Sequence, residues 1–351
     1  MKVALFTIWH DKNFGAELQA YATIQTLQEM GHTVKLVDYR LNDLPFLFSR
    51  QGLSTAFEKI SPQNRMFERF WARLPKSRHY SNLNQLMADP PVADYYLVGS
   101  DQVWNPKITG NKIKAFFLPF GSHEVKRASY ASSLGGGKWL GDEELTTFAK
   151  QQLQRFKKVS CREESAVVEL DQILGVKATA VLDPTLLRRN YDELTGTIVE
   201  NKSLVYYSLY NEPRITALAE ELAKRMGIDC LSANNRTALL GKIPWTRTSI
   251  EDWIRYIAGA RFVVTHSFHG LVLALLYHRP FMVLYTSSNN RQGRITGLLQ
   301  KIGLTDRFFT NERDALESDV WEKPIDYEMV DSKIDALRNS SMEFLKSVFE
   351  Q

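Results

Sequence analysis

The sequence predicts an α/β protein with two Rossmann-like domains that face one another across a cleft. The chain has 351 residues, 44% of them hydrophobic, which is enough to bury two cores rather than one. Apolar runs of strand length alternate with segments of helical periodicity in both halves, and Asp183-Pro184 separates the two series. The predicted parts are a first domain over residues 1–190, a second over residues 191–325, and a C-terminal helical segment over residues 326–351 that packs back on the first domain.

A βαβ unit opens the first half. A strand over residues 3–8 is followed by a helix over residues 16–30 and by a second strand over residues 33–37. The loop over residues 9–15 therefore lies at the carboxyl edge of a parallel sheet, where ligands bind. Residues 41–91 mix aromatic and basic side chains and receive no chemical role. The remaining predicted strands of this half cover residues 95–98, 127–131, 158–161 and 179–182.

The second half repeats the alternation. Its predicted strands cover residues 204–209, 228–231, 262–265 and 281–284, and its predicted helices cover residues 215–226, 250–258 and 267–277. A final helix over residues 327–349 has no strand after it. Two successive series of this kind favour two doubly wound sheets with ligands at their carboxyl edges.

Composition and charge exclude several classes of protein. The formal charge of +4 arises from 44 basic and 40 acidic residues spread along the chain, so no basic arm indicates a nucleic-acid partner. Cys161 and Cys230 lack the spacing of a disulfide framework or a metal site, and a reducing, cytoplasmic location is expected. No apolar run reaches the roughly 20 residues needed to cross a bilayer, so membrane association is expected to be peripheral at most.

The strongest candidate for chemistry is the turn at Thr265-His266-Ser267-Phe268-His269-Gly270. Here an apolar strand ends, Ser267 is placed to cap the next helix, and His269 falls in the first helical turn. Free N–H groups at a helix start bind anions, and His269 is placed to donate a proton to the bound group. The alternative is that His266 and His269 are both structural.

The turn belongs to an ordered set of motifs. The others are Asn13-Phe14-Gly15-Ala16-Glu17-Leu18-Gln19-Ala20-Tyr21-Ala22, Val98-Gly99-Ser100-Asp101-Gln102-Val103-Trp104-Asn105-Pro106, Ala128-Ser129-Tyr130-Ala131-Ser132-Ser133-Leu134-Gly135, Ser160-Cys161-Arg162-Glu163-Glu164-Ser165 and Val181-Leu182-Asp183-Pro184-Thr185. In this order, over roughly residues 3 to 300, they resemble the polysaccharide pyruvyl transferase family.

The resemblance implies a fold like that of the GT-B glycosyltransferases. It also implies transfer of pyruvate from phosphoenolpyruvate to two hydroxyls of a glycan sugar, forming a ketal, in exopolysaccharide or capsule synthesis. Phosphoenolpyruvate is then the co-substrate, with no metal and no further cofactor. The acceptor is a free or lipid-linked glycan, and the expected location is the cytoplasm or the inner face of the cell membrane.

Anion-binding residues are expected on the donor side. Arg162 matches the family's arginine block and is the first candidate clamp, the alternative being a surface ion pair with Glu163 or Glu164. Described family members carry an arginine two residues before the catalytic histidine, where this chain has Ser267. Either the donor is held differently in this chain, or another arginine fills the role. Of the candidates Arg291 and Arg294, we favour Arg294 because it opens a helix. The predicted donor-binding set is Arg162, Ser267, Phe268, Arg294, Arg291 and His266, with His269 as the general acid.

The acceptor side is expected at the ends of two strands of the first domain. Asp101 is a candidate to orient an acceptor hydroxyl or accept its proton, and Trp104 offers a face on which a sugar can stack. Helix capping by Ser100 or Asp101 is the alternative. The predicted acceptor-binding set is Asn13, Gly15, Gln19, Gln102 and Trp104, with Asn13 also a possible cap and Gly15 allowing a close backbone approach.

Two other functions stay open at this point. One is a GT-B glycosyltransferase that uses a nucleotide sugar, which would need a ribose-binding carboxylate in the second domain. The other is a non-catalytic glycan-binding module that lost activity with the arginine at the Ser267 position. The presence of both His269 and Arg162 favours the transferase.

Overall fold

The protein is described here from a computed structural model, which covers residues 1–41, 62–209, 212–234, 236–239, 243–246, 248–285 and 292–350. Its first half contains a six-stranded sheet and a short two-stranded one. The strands are Lys2–Phe6 (β1), Thr33–Asp38 (β2), Lys76–His79 (β3), Tyr95–Val98 (β4), Lys126–Ser129 (β5), Phe156–Lys158 (β6), Ser160–Cys161 (β7) and Thr179–Ala180 (β8).

Helices cover the first sheet. They are Phe14–Glu29 (α1), Pro62–Ala72 (α2), Leu83–Ala88 (α3), Pro106–Thr109 (α4), Glu143–Leu153 (α5) and Glu164–Glu169 (α6), with shorter turns at Gly110–Phe117, Leu170–Leu174 and Pro184–Leu186. The strands are parallel in the order β3-β2-β1-β4-β5-β6. This order reverses between β1 and β4, so the loops that follow these two strands border a crevice where a ligand can bind.

The second half is built in the same way. Its strands are Leu204–Tyr207 (β9), Cys230–Ser232 (β10), Arg236–Leu239 (β11), Ile243–Thr246 (β12), Phe262–Thr265 (β13), Phe281–Leu284 (β14) and Phe308–Phe309 (β15). Its helices are Asp192–Thr195 (α7), Pro213–Met226 (α8), Ile250–Ala258 (α9), Phe268–Leu276 (α10), Gly293–Ile302 (α11), Glu312–Glu317 (α12) and Tyr327–Phe349 (α13), with a short turn at Thr305–Arg307.

The second sheet is parallel in the order β10-β9-β13-β14-β15, and its reversal lies between β9 and β13. Strands β13 and β14 are buried along their whole length, which explains why they are continuous apolar runs. The predicted α/β class with two doubly wound units is thus confirmed. The antiparallel hairpin of β11 and β12 was not predicted.

The last helix, α13, packs against the first half of the chain. The Oγ of Ser341 accepts a hydrogen bond from the N–H of Leu182 at 2.9 Å, and the Phe349 ring meets the edge of Tyr95 with 4.9 Å between ring centroids. These contacts join the end of the chain to the first sheet. Within the described ranges, no helix combines the length and the apolar character needed to span a bilayer.

Candidate active site

His269 lies at the start of α10, directly after the buried strand β13. Ser267 caps this helix, because its Oγ accepts the N–H of Gly270 at 3.4 Å and its own N–H donates to Oγ1 of Thr265 at 3.0 Å. His269 is only 7% exposed, and its Nε2 has no hydrogen-bond partner among the described residues. The turn therefore holds an imidazole with one buried and unsatisfied nitrogen at a helix N-terminus.

The first half of the chain supplies the surface on which the imidazole rests. A Cβ atom at Gly15 would lie 2.0 Å from Nδ1 of His269, so only glycine allows this approach. Asn13 caps α1, since its Oδ1 accepts the N–H groups of Gly15 at 3.0 Å and Ala16. Gly15 therefore fits against His269, and Asn13 fixes the helix turn that carries Gly15.

Arg162 occupies the centre of a buried charge cluster. Its Nη1 donates to Oδ2 of Asp183 at 2.7 Å, its Nη2 lies 3.7 Å from Oδ1 of Asp101, and its Nε lies 3.5 Å from Oε1 of Glu163. Burial alone would lower its pKa, but Glu163, Asp183 and Asp101 outweigh burial and raise it. Its Nε and Nη2 have no hydrogen-bond partner in the described part of the chain.

The alternative of a surface ion pair for Arg162 is wrong. Its side chain is only 2% exposed, and the Glu163 side chain beside it is 5% exposed. Glu164 pairs instead with Lys301, with 2.8 Å between Oε1 and Nζ. Arg162 is therefore an internal cation, and two of its nitrogens are within the buried cluster without a hydrogen bond.

Asp183 joins the two halves of this cluster and was not predicted as a site residue. Its Oδ2 accepts from Oγ of Ser100 at 2.8 Å as well as from Arg162, and its Oδ1 accepts the N–H of Thr185 at 3.0 Å. Its Oδ1 also lies 3.8 Å from Nε2 of His269, an ion-pair distance. Burial would raise the pKa of Asp183, but His269 and Arg162 outweigh it and hold this pKa well below its usual value.

Arg294, the expected replacement for the family arginine, lies near the same aromatic ring as Arg162. The guanidinium carbons of Arg162 and Arg294 lie 5.2 and 5.7 Å from the centroid of the same Phe268 ring. Burial and the neighbouring Arg162 lower the pKa of Arg294, and its Nε is buried without a partner in the described ranges. Arg291, the other predicted replacement, lies outside the described residues.

A cavity of about 290 Å³ brings the two arginines together. Its lining includes Arg162, Arg294, Phe268 and Asp183. His269 is not part of this lining and reaches the cluster through its 3.8 Å approach to Asp183. The structure thus places one histidine and two arginines around a single buried aspartate.

His266 does not contribute to this cluster. Its Nε2 accepts the N–H of Leu209 at 3.1 Å, at the end of β9, and burial lowers its pKa. Because this nitrogen accepts a backbone hydrogen bond within the second half, the expected donor-binding role of His266 is corrected to a structural one. Ser267, only 3% exposed, serves as a helix cap and is absent from the cavity lining.

Two of the predicted acceptor residues are also corrected. Trp104 is fully buried, its Nε1 donates to the carbonyl of Phe116 at 3.1 Å, and its ring stacks on Phe117, so no face is open to a sugar. Gln19 is fully buried, and its side-chain amide donates to Oγ1 of Thr7 and to the carbonyl of Ile8, both at 3.0 Å. Both side chains stabilise the first domain.

Asp101 and Gln102 lie at the end of β4. Asp101 has a left-handed backbone with φ of 71°, which is unusual for a residue with a side chain and is often found at functional sites. Its side chain is 14% exposed and faces Arg162, as described above. The Oε1 of Gln102 accepts from Nδ2 of Asn105 at 2.9 Å, which fixes the loop beside Asp101.

In the part of the chain that the structure describes, no group of three or more His, Cys, Asp or Glu side chains is placed to hold a metal ion. The site instead consists of arginines, carboxylates, one histidine and a helix N-terminus. These are the groups that bind an anion and move a proton.

Two parallel sheets, each with a reversal of strand order and joined by a buried charge cluster, define an α/β fold of the GT-B type. The UDP-N-acetylglucosamine 2-epimerase of Neisseria meningitidis, solved with UDP-N-acetylglucosamine bound, is similar, with a TM-score of 0.55, 13% identity and complete coverage of both chains. The corresponding epimerase of Methanocaldococcus jannaschii has a TM-score of 0.51 and 10% identity, covering 97% of this chain and 93% of its own. At these identities the likeness shows the fold alone.

The sequence defines the family more closely. A family model described as polysaccharide pyruvyl transferase matches residues 13–288. The chain therefore belongs to the polysaccharide pyruvyl transferase family, which indicates a transferase acting on a polysaccharide. A search of curated proteins gives no significant sequence match.

Proposed function

We propose that this protein transfers pyruvate from phosphoenolpyruvate to two hydroxyls of a glycan sugar and forms a cyclic ketal. The observation that carries the proposal is the placement of Arg162 and Arg294 near the same Phe268 ring, with His269 next along the chain and linked to Arg162 through Asp183. Family membership supports it independently.

The donor carries a phosphate and a carboxylate, and the cluster offers cationic groups for both. Arg294 has a buried Nε without a partner, and Arg162 has a buried Nε and Nη2 without partners, in the described ranges. Hydrogen bonds from arginine to carboxylate or phosphate are charge-assisted and often bidentate. The N–H groups at the start of α10 add a further anion-binding element.

His269 is assigned the role of general acid. It donates a proton to the methylene carbon of phosphoenolpyruvate while an acceptor hydroxyl forms a bond to the central carbon. The buried Asp183, held anionic by its partners, stabilises the protonated imidazole from 3.8 Å. The carbon–oxygen bond to phosphate then breaks, phosphate leaves with the electron pair, and the second hydroxyl closes the ketal.

Asp101 is assigned to the acceptor. Its partly exposed carboxylate lies beside Arg162 at the switch point of the first sheet, and it accepts a hydroxyl proton as the sugar oxygen attacks. The acceptor in this proposal is a glycan, free or lipid-linked, and no nucleic acid takes part. Work at the inner face of the cell membrane fits such an acceptor.

A transfer assay tests the proposal. Purified protein is incubated with phosphoenolpyruvate and a panel of glycan fragments, with phosphate release and the mass gain of a pyruvate ketal as readouts. We expect His269→Ala to lower transfer by about 100-fold or more while the fold is kept. His278→Ala is the matched control, because His278 pairs with Asp331 at the surface and should retain full activity.

Three results would contradict the proposal. Full transfer activity of His269→Ala would show that His269 is not the general acid. Transfer from a nucleotide sugar, with none from phosphoenolpyruvate, would identify a glycosyltransferase. Glycan binding without phosphate release from any donor would identify a non-catalytic module.

A further inference from the structure

A second carboxylate is carried by the loop that neighbours the Asp101 loop at the switch point of the first sheet. Strands β1 and β4 are parallel neighbours in register, with Phe6 opposite Val98, so the loops that follow them leave the same edge. Oγ1 of Thr7 donates to the carbonyl of Ser100 at 2.7 Å, which ties the two loops together. Asp11 is carried by the first of these loops and Asp101 by the second.

The loop that carries Asp11 is held in an unusual conformation. Its neighbours His10 and Lys12 both have left-handed backbones, with φ of 62° and 51°. Such backbones are costly for residues with side chains and persist only where surrounding structure enforces them. The His10 ring also stacks on Trp71, with 3.8 Å between ring centroids. Asp11 itself is exposed at this edge.

Glu17 is the internal support of this loop. It is fully buried in α1, and its Oε1 accepts the N–H of Asp11 at 3.1 Å. Burial raises the pKa of Glu17 to about 8, and the Trp71 side chain and the N–H of Asp11 only partly offset this rise. Glu17 is therefore mostly neutral at pH 7. Two residues earlier, the same helix presents Gly15 to the His269 ring, so one helix turn positions both Asp11 and the proposed acid.

The two loop carboxylates differ in their charged neighbours. Asp101 lies near the cation Arg162, with 3.7 Å between Oδ1 and Nη2. Although Asp11 keeps contact with solvent, the loop around it removes part of the water from its carboxylate; this raises its pKa to about 6, and the charge of Asp101 adds to the rise. A carboxylate with such a pKa is ionised at pH 7 and still a good proton acceptor.

Ketal formation requires two proton transfers from the acceptor, because two hydroxyls of one sugar each lose a proton. Of these two protons, one balances the proton that the methylene carbon gains from His269, and the other leaves with phosphate. We infer that Asp11 accepts the proton of one acceptor hydroxyl and Asp101 that of the other. This inference rests on the proposed function. Glu17 is the positioning residue that fixes the Asp11 loop.

The role of Asp11 is tested by comparing three proteins. Wild type, Asp11→Asn and the control Asp229→Asn, whose exposed side chain lies in the loop before β10, are assayed with phosphoenolpyruvate and a panel of p-nitrophenyl monosaccharides. We expect Asp11→Asn to lower kcat for ketal formation by about 100-fold or more with unchanged affinity for phosphoenolpyruvate. Asp229→Asn should match wild type.

The role of Glu17 is tested by a matched pair. Glu17→Gln keeps a carbonyl oxygen that accepts the N–H of Asp11, whereas Glu17→Met keeps the volume without an acceptor. We expect Glu17→Gln to retain most of kcat and Glu17→Met to lose most of it, with the affinity for phosphoenolpyruvate kept in both. Equal activity of the two variants would contradict a positioning role.

A measurement that needs no acceptor sugar tests the carboxylate pair itself. Carboxyl carbon NMR should show Asp11 titrating near 6 in wild type and at a lower pH in Asp101→Asn. If Asp11 titrates near 4, and if this pKa is the same in Asp101→Asn, the two carboxylates do not interact and the inference is wrong. Full activity of Asp11→Asn would also contradict the inference. If wild type forms no ketal with any panel sugar, the proposed function fails, and this inference fails with it.

Discussion

The two halves of the molecule contribute differently to the same site. In the first half, Arg162 faces three carboxylates, although two of its nitrogens have no hydrogen bond among the described residues, and Asp183 accepts four hydrogen bonds. The second half supplies Arg294, which has no ion pair in the described ranges, and His269, whose Nε2 has no hydrogen bond there. The first half holds its charged groups in a network of partners, whereas the second half adds an arginine and a histidine that have few partners.

This difference has a physical basis in the cost of burying charge. A buried ion is tolerated when it is paired, and removing one partner leaves the others uncompensated. Replacing Arg162 would therefore leave three buried or half-buried carboxylates without a cation and repelling one another. Arg294 instead carries a lowered pKa, because burial and Arg162 both disfavour its charge. An anionic donor would relieve that cost.

The largest expected effect is on stability and separates the two arginines. We expect Arg162→Met to lower the free energy of unfolding by about 3–5 kcal/mol, since Asp183, Glu163 and Asp101 lose their common cation. Arg294→Met should not lower it, because Arg294 has no ion pair in the described ranges and burial already disfavours its charge. Urea denaturation of both variants provides the measurement, and equal losses would contradict the proposed division of roles.

The next effect concerns the contact between the two halves. Gly15→Ala should lower the free energy of unfolding by about 1–3 kcal/mol, because its Cβ collides with the His269 ring, and it should also impair transfer. Gly297→Ala is the control for stability, since a Cβ there meets nothing within 4 Å. A Gly15→Ala protein with wild-type activity would show that the position of His269 does not depend on the first half.

The third effect is a pH dependence inside the first half. Because the folded-state pKa of Glu17 is raised from 4.5 to about 8, the unfolded state releases this proton first as the pH rises. The stability contributed by neutral Glu17 is thus complete below about pH 4.5 and is lost as the pH rises through 8. Relative to Glu17→Gln, wild type should lose about 1.4 kcal/mol per pH unit in this window. The free energy of unfolding of both proteins is measured by denaturation from pH 5 to pH 8. If it changes with pH in the same way for both, Glu17 titrates normally and the prediction is wrong.

Local sequence pattern was sufficient for the fold and for the turn that carries His269. Strand-length apolar runs and helix periodicity are encoded by neighbouring residues, so β13, Ser267 and α10 were predictable. The choice of Arg294 followed from its place at a helix start, and the structure puts it against Phe268. The sequence motif around Asp183 was also visible, although its role was not.

The remaining features depend on contacts between distant parts of the chain. Gly15 and His269 meet only after the two halves pack together, and no local pattern encodes that approach. Trp104 was placed on the acceptor side because it follows a strand end, but the neighbouring turn at Gly110–Phe117 buries it completely. The burial of Glu17 likewise results from tertiary packing. It was not predictable from the sequence, because glutamates are rarely buried.

Calorimetric titration of phosphoenolpyruvate tests the central claim most directly, with UDP-N-acetylglucosamine as the competing ligand. Wild type should bind phosphoenolpyruvate, and Arg294→Met should bind it about 10- to 100-fold more weakly at unchanged stability, the loss expected for a charge-assisted hydrogen bond. Binding of only the nucleotide sugar by wild type, or undiminished binding of phosphoenolpyruvate by Arg294→Met, would contradict the account.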